Sequence, residues 1–146
     1  MSANAKVVAL CLGAVILSLL LVGVVSSTLL RHAVQVIPLV LALIAVARRS
    51  DWAGYLALPV FLFWFLIALA IWLFLLGIAR IASGHYSPIE VALTVVMAVA
   101  GLVGFMPAVR MLPPERRAQG IALSLAFFVL QYGALWFTYL PFFPHG

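Results

Sequence analysis

Three histidines, three acidic side chains and two amides deep in apolar runs are the groups of this chain that could do chemistry. His32, His85, Glu90 and His145 offer imidazole and carboxylate, donor types that suit zinc and other transition metals. Their separations match no metal-ligand spacing. A haem is expected on histidines within facing helices, whereas these stand at the ends of apolar runs. No cofactor is therefore expected, and these four are the positions where a metal or haem would have to sit.

The acids are Asp51, Glu90 and Glu115. Asp51 and Glu115 stand among arginines and read as loop charges. Ser87 lies close to His85, but Ser87-Pro88-Ile89-Glu90 is better read as a helix start. There serine caps, proline takes the first position and glutamate reaches back. No third group orients the pair, no paired carboxylates occur and no glycine loop could cradle phosphate. No catalytic residue is assigned, and the reading leans away from an enzyme.

Gln35 and Gln131 are the deepest amides, and interhelical hydrogen bonding is the first expectation for both. The alternative is a pocket lined by Gln35, Trp64, Trp72, Gln131, Tyr132 and Trp136. Mostly apolar with a few polar anchors, it would suit a lipid, a quinone or another apolar ligand.

The elements that carry these residues follow from composition. The chain is 68% hydrophobic and 8% charged, where a soluble domain carries about 25% charged residues. Its mean hydropathy is +1.32. Residues 58–79 hold no charge, amide or hydroxyl. As a helix they are long enough to cross a hydrocarbon layer of roughly 30 Å, and only helices or closed barrels satisfy their backbone there. The expected fold is all-α: a polytopic integral membrane bundle, one domain over residues 1–146, with spans near 7–27, 29–47, 54–80, 89–109 and 121–140. Residues 33–47 are short for a crossing, so four spans plus a re-entrant segment is the alternative. Residues 7–25 are read as a retained span because the apolar run exceeds a signal core of about 7–15 residues.

Within these spans, Ala92, Ala100, Gly104 and Ala108 make a stripe of small residues on which a neighbouring helix could pack closely. Ala9 and Gly13 offer a shorter one. The lone Cys11 excludes an intramolecular disulfide. Ser50 or Asp51 is expected to cap the third helix, and Gly84 to stop it.

The net charge of +5 does not indicate nucleic acid, because the basic residues stand singly or in pairs between spans and form no exposed stripe. Five spans put Lys6, Arg48, Arg49, Arg110, Arg116 and Arg117 on one side and Arg31 and Arg80 on the other. The positive-inside bias then places the N-terminus in the cytoplasm and the C-terminus outside, in a plasma (inner) membrane. The interior is nearly free of ionisable groups, which argues against a proton pump, a proton-coupled carrier or a voltage sensor. The expected function is a non-catalytic subunit or accessory scaffold protein, in contact with membrane lipids and with a membrane-protein partner or a second copy. The alternatives are a binding or transport protein for a lipid, quinone or other apolar ligand, and a lipid-modifying enzyme with an outer-face site.

Overall fold

The computed structural model describes residues 1–80 and 84–140. These residues form five long helices: α1 (Ala3–Val25), α2 (Leu29–Ala47), α3 (Ala53–Leu75), α4 (Pro88–Val109) and α5 (Arg117–Phe137), the last preceded by a short 3₁₀ turn, Pro114–Arg116. All five are long and apolar enough to cross a membrane. The protein is a multi-pass helical bundle. The segment whose crossing was in question is α2, whose 19 residues give about 28 Å of helix. It begins at Leu29 because Leu29 and Leu30 extend the apolar run ahead of Arg31.

Helix α3 sits at the centre and packs on each of the other four. Helix α4 lies against α1 and α3, and α5 against α2 and α3. Small residues set the α3–α4 seam. A Cβ on Gly104 would lie 2.5 Å from the ring of Phe61, and one on Gly101 would lie 3.2 Å from the Phe61 carbonyl oxygen. Across the same seam a Cβ on Gly54 would lie 2.8 Å from the carbonyl oxygen of Ala108. Ala100, Gly104 and Ala108 are buried, whereas Ala92 is exposed near the start of α4. The four-residue spacing drifts around a 3.6-residue helix, and Ala92 has left the seam. Gly13 likewise meets nothing within 4 Å, and it is Gly23 that permits a close approach, against Leu29 and His32.

Helix α5 buries only Gly120, Phe127 and Gln131. Between helices in lipid, apolar surface supplies little drive, so packing and hydrogen bonds must hold it. Tyr55 does both. Its ring lies over Gly120, with no room for a Cβ there, and its hydroxyl donates to the carbonyl of Pro113 at 3.0 Å.

Three helices end in the same six-residue turn, in which the residue after the cap is left-handed. At the end of α3 Gly77 takes φ 71°, with Ile78 N–H bonded to Leu73 O at 2.9 Å and Gly77 N–H to Phe74 O at 3.0 Å. The helix therefore stops at Leu75 rather than continuing to Arg80 and Gly84. Hydropathy misses this stop because Ile78 and Ala79 are apolar beyond it. Ser27 and Arg49 take the same place after α1 and α2, at φ 56° and 55°. Neither Ser50 nor Asp51 caps α3. Ser50 Oγ accepts from the Trp52 N–H at 3.2 Å, and Asp51 pairs with Arg116 at 3.1 Å. The capping box of α4 forms as expected: Glu90 N–H donates to Ser87 Oγ at 3.3 Å and Ser87 N–H to the Glu90 carboxylate at 2.7 Å.

Candidate functional site

The polar side chains of the chain gather at the two ends of the bundle. One end carries the start of α1 with the α2–α3 and α4–α5 connections, and Asn4, Arg49 and Arg110 line a shallow recess there. At the other end α1, α3 and α5 finish while α2 and α4 begin. A cavity of about 370 Å³ opens among them, within the roughly 300–1,000 Å³ of small-molecule sites.

Its rim is polar. Arg31 and His32 come from the first turn of α2, Glu90 from the start of α4, and His85 and Tyr86 from the connection before it. Tyr139 follows α5, and its ring lies under the Arg31 guanidinium at 4.6 Å. Arg31 Nε donates to the carbonyl of Thr138 at 3.0 Å, at the end of α5. A cation is favourable at a helix C-terminus, so Arg31 both closes α5 and lines the rim. His32 is held by Thr28, with Nδ1 at 3.1 Å from its carbonyl and 3.2 Å from its hydroxyl. Burial, and then the neighbouring Tyr139 and Glu90, push the Tyr86 phenol above its ordinary value.

Deeper in, the lining turns apolar, with Leu19, Ile67, Met97 and Leu135. Three polar residues interrupt it: Gln35, Trp64 and Thr94. Gln35 Nε2 donates to Thr138 Oγ1 at 2.8 Å. Thr94 Oγ1 donates to Val91 O at 2.7 Å and accepts from Trp72 Nε1 at 3.0 Å. Trp64, about three turns in from the end of α3, is only 3% exposed. Its Nε1–H is buried and has no hydrogen-bond partner among the described residues.

No protein-family model, curated protein or solved structure matches the chain.

Of the six residues considered for a pocket, Gln35 and Trp64 line this cavity. Trp72 is tied to its wall through Thr94, and Gln131 stands behind Gln35, donating to the Gln35 carbonyl at 3.3 Å. Tyr132 and Trp136 lie outside it, 59% and 60% exposed. Once Gln131 faces inward, a turn of about 100° per residue carries positions 132 and 136 together to the outer side of α5. His32, His85 and Glu90 share the cavity, but no group of three or more His, Cys, Asp and Glu is placed to hold a metal ion among the described residues. His145 lies outside the described residues. Arg31, Thr94 and Thr138 gained no role from sequence. Only the meeting of five helix ends gives them one, and the single available signal was an arginine at the very start of an apolar run.

Proposed function

We propose that this multi-pass membrane protein binds an amphipathic ligand, with the ligand's polar part in the cavity between the helix ends and its apolar part against the deeper lining. The reading rests on the make-up of the cavity, with Arg31, His32 and Glu90 at its rim and Leu19, Ile67, Met97 and Leu135 deeper in. Gln35 and the rim groups add further polar anchors over an apolar floor, the usual make-up of a ligand site. This favours binding over the scaffold reading, since a pure scaffold needs no such cavity.

The cavity opens toward the outer leaflet of the plasma membrane if the basic end is cytoplasmic. The support is the grouping of Lys6, Arg48, Arg49, Arg110, Arg116 and Arg117 at the opposite end. The test is extraction from native membrane in mild detergent, followed by mass spectrometry of the bound small molecules. A stoichiometric lipid-like molecule is expected with the wild type, and its loss with Val22→Phe, since Val22 lines the cavity and the larger ring narrows it. A stoichiometric protein partner with no retained small molecule would favour the scaffold reading instead.

A further inference from the structure

We propose that the basic end of the bundle binds an acidic phospholipid of the adjoining leaflet, its phosphate seated between Arg49 and Arg110 in the recess beside the start of α1. This site lies at the opposite end from the cavity and does not depend on what the cavity holds.

Convergence of donors is the first observation. The recess has a volume of about 550 Å³. Three parts of the chain wall it: Ser2 and Asn4 at the start of α1, Arg49 and Ser50 between α2 and α3, and Arg110 just past α4. Six cations stand at this end of the bundle, but only Arg49 and Arg110 line the recess. Asp51, the one carboxylate in its wall, is held by Arg116 at 3.1 Å, and neither Arg49 nor Arg110 has an ion-pair partner among the described residues. The Ser2 and Ser50 oxygens accept from the N–H groups of Ala5 and Trp52, each at 3.2 Å, which leaves both hydroxyl hydrogens to donate. The N-terminus of α1 adds a partial positive charge. Guanidinium groups and hydroxyls facing one space match the oxygens of a phosphate.

The backbone of Arg49 is the second and independent observation. It holds the left-handed place in the turn after α2, at φ 55°. A side chain is disfavoured there and glycine is not. The matching turn after α3 has Gly77, at φ 71°. An arginine where glycine would fold better points to a use of its side chain outside folding. A lipid is the source that fits the place. The recess lies where the spans end, and Val46 and Leu112 continue its lining with apolar surface. Trp52 stands beside it with the Arg116 guanidinium over its ring at 4.9 Å, an aromatic at the headgroup level. Basic pockets between span ends suit acidic headgroups. A zwitterionic headgroup would bring its own ammonium against the two arginines and bind less well.

The test titrates the full chain in detergent micelles with phosphatidylglycerol or phosphatidylcholine of the same acyl chains and counts bound lipids by native mass spectrometry. The first phosphatidylglycerol is expected to bind about tenfold more tightly than phosphatidylcholine, with each arginine supplying about threefold, the size of an exposed ion pair. Arg110→Gln should lower the preference about threefold, and the double variant Arg49→Gln, Arg110→Gln should abolish it. Arg49→Gly should also lower it about threefold while raising the unfolding temperature, so the loss cannot come from damaged folding. Arg117→Gln removes the same charge from outside the recess and should leave the preference in place. A preference that survives the double variant, or that falls as much with Arg117→Gln, would overturn the site and leave only a diffuse basic face. Inorganic phosphate at millimolar concentration should not displace the lipid. Displacement would assign the recess to a soluble anion and overturn the lipid.

Discussion

The hydroxyl of Ser124 on α5 donates to the carbonyl of Tyr55 on α3 at 2.7 Å, and this is the carbonyl that Pro59, four residues on, cannot bond. A backbone acceptor released inside lipid must find a partner within the protein. Here the proline that interrupts one helix supplies the attachment point for another. Ser124→Ala should lower stability in detergent by about 1 kcal/mol, the usual range for such bonds. In a Pro59→Ala background, where residue 59 regains its N–H, the same substitution should cost little. Equal costs in the two backgrounds, read by chemical unfolding, would dissociate the hydroxyl from the proline.

Glycine seams give the steepest expected losses. Gly104→Ala drives a methyl into the Phe61 ring and Gly120→Ala into the Tyr55 ring, both of them buried aromatics with little room to move. Each should cost about 1–3 kcal/mol, as overpacking does. Gly13→Ala meets open space and should be neutral or stabilising by up to about 1 kcal/mol, the helix preference of alanine. Thermal unfolding of the three variants in one detergent checks the order.

Ser27 holds a left-handed conformation at φ 56°, where a side chain costs about 1–2 kcal/mol. Ser27→Gly should therefore raise the unfolding temperature. A fall would mean that the Ser27 side chain contributes to the α1–α2 turn.

Tyr86 should titrate above the ordinary tyrosine value of about 10, because burial first, and then Tyr139 and Glu90, disfavour its phenolate. The sign follows from linkage. A group whose folded value is raised contributes stability that is complete below the unfolded value and lost as pH climbs through the folded one. Absorbance of the tyrosinate band should show a component above that ordinary value that is absent in Tyr86→Phe. Titration of Tyr86 at or below the ordinary value would contradict the burial at the rim.

How much of this was legible in the sequence differs from residue to residue. The five helices were, because few charges and long apolar runs leave no other way to satisfy a backbone in lipid. The capping box was, because Ser87, Pro88 and Glu90 act within one turn and need nothing from the rest of the fold. The stop at Gly77 was not, since apolar residues continue past it and hydropathy is blind to backbone conformation. Nor was the outward turn of Tyr132 and Trp136, which depends on the one face of α5 that Gln131 and Gly120 commit to the bundle. Ser124 looked inert in an apolar run, and its role depends on a proline in another helix. The rim of the cavity draws on residues 28 to 139 and exists only once the helices are side by side.

The most direct measurement of the central claim is the nuclear magnetic resonance of the indole N–H groups of the four tryptophans, in the absence and presence of lipid extracted from native membrane. Trp64 and Val22 line the cavity, so the Trp64 signal is expected to shift as lipid is added, and Val22→Phe should abolish the change. A Trp64 signal that never moves would contradict a ligand site at that depth.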